Sequence, residues 1–392
     1  MKNSLLSPFF FPWYSRSMDT AIHPQRTDKI NLAPAPWTMH EFFAGSGLVA
    51  YGLKGMFRPV WSNDICSKKA AVYEANFESA HFVLGDIKNI SGRALPEAHL
   101  SWASFPCQDL SLAGSIGGID AKRSGLVWEW LRILKEMPHK PSLLLIENVI
   151  GLLSTNDGAN YAKLHNALLE LNYKSGAIVL NAALFVPQSR PRVFIIALQK
   201  NIEIPSELQD NGKNWLHNKA AIKLGCSLPD WIWWKTKQPP QRKTNINDVL
   251  DFNLPYDRDN VLSLIPSHHR EALTSYTNCV ATGYRRVRNG KQCLELRFDG
   301  LAGCLRTPEG GSSKQFVVVK QKNELHARVL SHREAARLMG APDSFNLPGT
   351  YNSAYKAMGD AVALPVASFV GKSFLAPLAE VIYNEQQRRK SA

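Results

Sequence analysis

The sequence offers little to a metal, a membrane or a disulfide framework. Its six cysteines, Cys66, Cys107, Cys226, Cys279, Cys293 and Cys304, contain no C-x-x-C pair. A zinc site is therefore not expected, and the thiols read as reduced residues of a cytoplasmic protein, most of them small core side chains. Long apolar runs are also missing. Stretches such as 143–146 and 193–198 are short of the roughly 18 residues that a membrane-spanning helix needs, so no membrane association is expected. The first 14 residues are aromatic and apolar, but Pro8 and Pro12 interrupt them and no strongly basic leader precedes them, which argues against a signal peptide. Acidic residues are in deficit. With 33 Asp and Glu against 46 Lys and Arg, the 392-residue chain carries +13, which makes a polyanion the first partner to consider. At 45% hydrophobic and 20% charged residues it is neither disordered nor fibrous, and its length allows two or three domains.

Residues 1–36 are proline-dotted and increasingly polar, and read as a loosely ordered extension. From Trp37 an apolar stretch runs through Phe42 and Phe43 into Ala44, Gly45, Ser46 and Gly47. Leu48, Val49, Leu53 and Met56 follow at helical spacing, so the segment reads strand, glycine turn, helix. A second strand closes at Asp64, a helix covers 68–77, and a third strand at 81–84 precedes Gly85 and Asp86. Apolar runs at 100–105, 143–146 and 193–198 are separated by helical segments at 127–135 and 161–171. Such alternation predicts an α/β fold, a largely parallel sheet with helices on both faces, whose chemistry lies just beyond the carboxyl ends of the strands. After Lys200 the period is lost. Trp231, Trp233 and Trp234 precede a basic cluster, and Arg285, Arg286, Arg288, Lys291, Arg297 and Arg306 face only Glu295 and Asp299, which predicts a second, irregular, basic domain. Ser331 followed by Glu334 has the capping-box pattern for a helix running to Met339 and ending at Gly340. One or two further helices are expected over 361–375.

Several of these strand ends carry candidate chemistry. The turn from Phe43 to Gly47 lets backbone approach a nucleotide-like cofactor or simply turns the chain, since it lacks the third glycine of the dinucleotide fingerprint. Asp64 is suited to accept from ribose hydroxyls or to cap a helix, and Asp86 to accept from an adenine amino group or to cap. Cys107 follows Phe105 and Pro106 at the end of an apolar strand, beside a Gly- and Ser-rich loop, where a thiol is reachable by substrate. Glu147 ends another apolar strand, where burial would raise its pKa and suit it to proton donation; a satisfied structural acid is the competing reading. Arg190 and Arg192 stand immediately before a buried strand.

Taken in order, these segments resemble the C5-cytosine DNA methyltransferase family over most of the chain from Trp37 to Glu380. The resemblance is carried by the Phe-x-Gly-x-Gly turn, Asn63-Asp64, Gly85-Asp86-Ile87, Phe105-Pro106-Cys107-Gln108, the segment from Arg123 to Leu126, Glu147-Asn148-Val149 and Gln188-x-Arg190-x-Arg192. It continues through Arg306-Thr-Pro-x-Gly-Gly, the Ser331 helix and Gly359-Asp360-Ala361-Val362. It implies a Rossmann-like, S-adenosylmethionine-dependent catalytic domain over 37–199, a target-recognition domain with hinge over 200–352, and C-terminal helices over 353–392 that return to the catalytic domain. It also implies double-stranded DNA as substrate, a flipped-out cytosine, and either a separately encoded restriction endonuclease as counterpart or a solitary methylase; a monomer is expected.

By the same resemblance Cys107 is the nucleophile that adds to C6, Glu147 the acid at N3 and Arg192 the group at O2, with Arg190 and Gln108 in support. Phe43, Ala44, Gly45, Gly47, Asp64, Ile65, Asp86, Ile87, Pro106, Leu126, Asp360 and Val362 would hold the cofactor. Ser111, Arg123, Arg285, Arg286, Arg288 and Arg306 would meet DNA. Three departures bear on the cofactor pocket: Ser104 where glycine is frequent, Ile65 where an aromatic often covers the adenine, and Asp360 in place of the more usual asparagine. The alternatives are a tRNA cytosine methyltransferase using the same residues and a catalytically silent DNA-binding regulator. A nicotinamide dehydrogenase would need a glycine triplet that the turn does not supply.

Overall fold

The computed structural model describes residues 28–33, 35–106, 119, 125–256, 261–306 and 313–391. Strands β1 (Trp37–Phe42), β2 (Phe57–Asp64), β3 (Phe82–Leu84), β4 (Leu100–Ala103), β5 (Leu143–Asn148), β6 (Tyr173–Asn181) and β7 (Pro191–Gln199) form one sheet in the order β3-β2-β1-β4-β5-β7-β6. Helices α1 (Leu48–Gly52), α2 (Ser67–Asn76), α3 (Leu126–Glu136), α4 (Gly151–Ser154) and α5 (Ala159–Glu170) connect them. The first five strands are parallel, as the alternation predicts. β7 runs antiparallel to both neighbours. Its connection from β6 spans only residues 182–190, too short for the crossover that a parallel pair requires. The sequence reading did not anticipate β6 itself.

Every residue of β5 is buried, and its side chains divide between two cores. Leu143 and Leu145 point into a core shared with α1 and the C-terminal helices, whereas Leu144 and Ile146 point into a core shared with α3 and α5. This two-sided burial explains the unbroken apolar run, since alternation disappears when both sheet faces are covered.

Helix α6 (Lys219–Gly225) precedes the tryptophan cluster. The sequence assigns that cluster to the second domain, but it lies along β6: Ile232 N–H donates to Ser175 O at 3.0 Å and Trp234 Nε1 to Gly176 O at 3.1 Å. The basic segment instead builds a separate antiparallel sheet, β11-β10-β8-β9, from β8 (Asn278–Arg288), β9 (Lys291–Arg297), β10 (Gln315–Gln321) and β11 (Glu324–Val329), with α7 (Ser267–Thr274) beside it. This order is hidden from a periodicity search because β8, an inner strand of the sheet, mixes charged and apolar residues on both faces. The Asn289-Gly290 dipeptide is the available signal. Both residues have positive φ, 50° and 76°, as a tight hairpin turn requires.

The chain then returns to the main body. Ser331 and Glu334 form the expected reciprocal capping box on α8 (His332–Leu338), and Gly340 leaves it at φ 78°. Helices α9 (Tyr351–Asp360), α10 (Leu364–Val370) and α11 (Ala376–Ser391) follow, α10 and α11 being joined by a π-helical turn, Gly371–Leu375. The family resemblance implies helices over 353–392, and α9 begins two residues before that span. Among the described residues, this run, Tyr351–Arg389, holds the one window long and apolar enough to cross a membrane. Half of that window is buried in the fold, where α10 packs on α1 and Leu378, Ala379 and Ile382 enter the first core.

Candidate active site

The glycine turn is shaped by its neighbours on β2 and α2. Phe43 and Gly45 both adopt φ 59° and Gly47 φ 79°, so the turn runs through the left-handed region three times in five residues. The two glycines serve different needs. A Cβ on Gly47 would stand 2.5 Å from the Phe77 ring and 2.8 Å from Tyr73, so this glycine admits α2 against the turn. At Gly45 a Cβ would make only ordinary contacts, the nearest atom being 3.8 Å away, so there it is the positive φ that calls for glycine. Asp64 pins the arrangement: one carboxylate oxygen accepts from Gly45 N–H at 2.9 Å and the other from Cys66 N–H at 2.8 Å.

The same cleft continues along the next strand ends. Asn63 holds the end of β3 by donating to the carbonyls of Val83 and Gly85. Asp86 caps the short 3-10 turn Ile87–Asn89 by accepting from Lys88 N–H. Ile65 and Leu84, 67% and 51% exposed, stand at adjacent strand ends and offer apolar surface to a planar group. Pro106 follows β4 and Leu126 opens α3, while Ala44, Ile87 and Val362 are buried behind the surface. Asp360, the last residue of α9, reaches the α2 side of the cleft through an ion pair with Lys69 at 2.8 Å. A glycine turn, the three carboxylates of Asp64, Asp86 and Asp360 and an apolar pair fit a nucleoside carrying an amino-acid arm.

On the other side of β1, antiparallel pairing of β5 with β7 brings together two residues separated by 45 positions. Arg192 Nε lies 3.2 Å from Glu147 Oε1, both largely buried. Burial pushes the Glu147 carboxyl above its ordinary range, opposed by Arg192, Arg190 and a hydrogen bond with Ser104. Asn148, beside it, donates to the carbonyl of Phe105 at 3.1 Å and so anchors the chain just before Pro106. Cys107, Gln108, Ser111 and Arg123 lie outside the described residues.

Arg190 links three segments of the chain. Its guanidinium donates to the carbonyls of Leu305, Gly359 and Ala361, and so ties β7 to the segment leaving the small sheet and to the end of α9. In the sequence Cys304 is only one of six thiols. It belongs to this site: its sulfur lies 3.3 Å from Arg190 Nη1 and 3.7 Å from Arg192 Nη2. Burial alone would raise this thiol, but Arg190, Arg192 and Arg306 outweigh it and hold it below its ordinary value.

The arginines assigned to DNA are split by strand alternation. Arg286 and Arg288 share the Tyr284 face of β8; Arg286 and Arg306 both lie over the Tyr284 ring, and the Tyr284 hydroxyl donates to Cys304 O. Arg288 and Arg286 approach Glu295 at 2.6 and 3.9 Å. Arg285 points to the opposite face and packs over Phe316 at 4.8 Å.

The family model for C-5 cytosine-specific DNA methylase matches residues 37–376. Type II methyltransferase M1.ScrFI of Lactococcus lactis subsp. cremoris is 27% identical over 349 residues, which cover 88% of this chain and 79% of that protein. Type II methyltransferase M.Bsp6I of Bacillus sp. (strain RFL6) is 28% identical over 330 residues, 83% of this chain and 94% of the relative. Among solved structures, the S. pombe Dnmt2 methyltransferase matches with a TM-score of 0.55 at 18% identity, covering 88% of this chain and 99% of that one. The Entamoeba histolytica methyltransferase EhMeth matches with a TM-score of 0.57 at 17% identity, covering 90% and 99%. These structural likenesses concern the fold.

Proposed function

Since this chain belongs to the C-5 cytosine-specific DNA methylase family and is a DNA (cytosine-5-)-methyltransferase, we propose that it methylates a flipped-out cytosine within a specific duplex sequence through a covalent Cys107–C6 adduct. The observation that carries the reading is the buried Glu147–Arg192 pair at the strand ends, next to the Asn148 anchor of the segment entering Cys107. S-adenosylmethionine supplies the methyl group when bound. Gly45, Asp64, Ile65, Asp86 and Asp360 would hold it in the cleft described above.

Cytosine C5 is a poor nucleophile until a thiolate adds at C6, which leaves C5 enamine-like. In this reading Cys107 makes that bond. Glu147, kept protonated more readily by its burial, gives its proton to N3 as the ring accepts electrons, while Arg192 faces O2 and stabilises the charge developing there. After methyl transfer the C5 proton leaves to water and the Cys107 bond breaks. Extrusion of the base costs about a few kcal/mol, which contacts from the basic small sheet would offset. The similarity to Type II methyltransferases supports a role in protecting DNA from a separately encoded restriction enzyme.

The test is a duplex carrying 5-fluorocytosine at the target, where fluorine blocks the last step. A mass-resolved adduct on Cys107, lost in Cys107→Ala together with methyl transfer but not DNA binding, is expected. An active enzyme that forms no adduct overturns the covalent mechanism. Methyl incorporation into DNA and not tRNA is expected, and sequencing DNA from expressing cells for 5-methylcytosine returns the site.

A further inference from the structure

The cofactor cleft contains a charge couple, Lys69 with Asp360, that takes no part in the bond-making steps. Asp360 is a full carboxylate at a position where an uncharged amide is more usual, and its Oδ2 lies 2.8 Å from Lys69 Nζ. The lysine comes from the first turn of α2, directly after the Asp64–Cys66 link. Its stem borders the glycine turn, with Cδ 3.8 Å from where a Gly45 Cβ would stand; Asp64 Oδ2 is 4.0 Å from that point. Burial opposes the lysine's charge, yet Asp360 and Asp64 together hold its pKa above the ordinary value. Lys356, one turn before Asp360 on α9, approaches the same carboxylate at 4.0 Å. Two carboxylates and two ammonium groups thus border one cleft, and the Lys69–Asp360 pair is only partly exposed, where charges are screened less than at the open surface.

A methyl donor and its product differ at the reacting centre by one methyl group and one formal charge. S-adenosylmethionine has a sulfonium; S-adenosylhomocysteine has a neutral thioether. Any fixed charge near the cleft therefore acts on the difference between the two affinities, whatever contacts the rest of the molecule makes. We propose that Asp360 is a specificity-determining residue of the cofactor cleft, its carboxylate favouring the cationic donor over the neutral product, with Lys69 setting how much of that charge is felt. The inference rests on the reading of the cleft as the S-adenosylmethionine site. Its consequence is control of product inhibition, because a product that binds less well than the donor is displaced more readily.

The experiment is equilibrium binding of S-adenosylmethionine and S-adenosylhomocysteine to the full-length chain by titration calorimetry, with the ratio of the two Kd values as readout. Asp360→Asn removes one negative charge and should shift the ratio toward the product by roughly threefold or more, the scale of one charge acting across a partly screened cleft. Lys69→Met removes one positive charge and should shift it the opposite way. The double variant Lys69→Met/Asp360→Asn makes no net change in charge and should return the ratio close to wild type. A merely structural role predicts something different: both ligands weaken together, the ratio stays fixed and the double variant is the worst of the set. A ratio unmoved by Asp360→Asn in a protein that binds both ligands overturns the proposal alone. Wild-type protein that binds neither ligand overturns the reading of the cleft, and the proposal with it.

Discussion

Glu147 and Arg192 meet at 3.2 Å across neighbouring antiparallel strands, so that an acid whose charge burial disfavours sits beside the cation that partly restores it. The rate should depend on pH through this acid. Because its protonated form donates, single-turnover methyl transfer should fall on the alkaline side as pH rises through the Glu147 pKa. Arg192→Met removes a charge that lowers that pKa, so the falling limb should move to higher pH while the maximal rate drops. A limb that moves to lower pH, or disappears, would sink the assignment.

Glu41, just before the glycine turn, makes a separate prediction about stability. Its carboxyl is fully buried, and that burial pushes its pKa up to about 8, opposed in part by the Ala50 backbone and reinforced by Asp64. A raised folded pKa stabilises the fold below the unfolded value and loses that contribution as pH rises through the folded one. Thermal melts of wild type and Glu41→Gln should therefore diverge between pH 4.5 and about 8, the glutamine variant gaining relative stability, and run parallel above.

The small sheet is joined to α8 through a buried ion pair. Arg328 Nη1 and Nη2 donate to Glu334 Oε2 and Oε1 at 2.8 and 2.6 Å, and Glu334 also accepts from the Ser331 and Asp251 amides. Removing one partner leaves a buried charge, so Glu334→Ala should cost about 3–5 kcal/mol in chemical denaturation. Arg328→Met/Glu334→Leu, which removes both charges, should cost clearly less than the sum of the two single substitutions.

The two faces of β8 separate binding from packing. Arg286→Ala should weaken DNA binding and reduce the salt dependence of log Kd by about one phosphate contact. Arg285→Ala, which removes a guanidinium packed over Phe316, should lower the melting temperature and leave the salt slope unchanged. Equal slopes for both variants would show that the Tyr284 face is not the one that meets the backbone.

Much of the catalytic half was legible in the chain itself, because its signals are local. The glycine turn, the apolar run of β5 and the Ser331–Glu334 cap depend on neighbours within a few residues, and the structure reproduces each. Other features required distant partners. Strand alternation placed Arg285 and Arg286 on opposite faces although they are adjacent in sequence. Packing on β6 drew the tryptophan cluster away from the basic sheet it precedes. Cys304 has no local mark at all, and acquires its place only when the return of the chain sets its sulfur between Arg190 and Arg192. The sequence by itself determined the alternation of β1 to β5 with their helices and the residue types at the carboxyl ends of those strands. Only the tertiary structure decided which charges face one another, since a carboxylate such as Asp360 and an ammonium such as Lys69, 291 positions apart, interact through a distance that the chain's order does not encode.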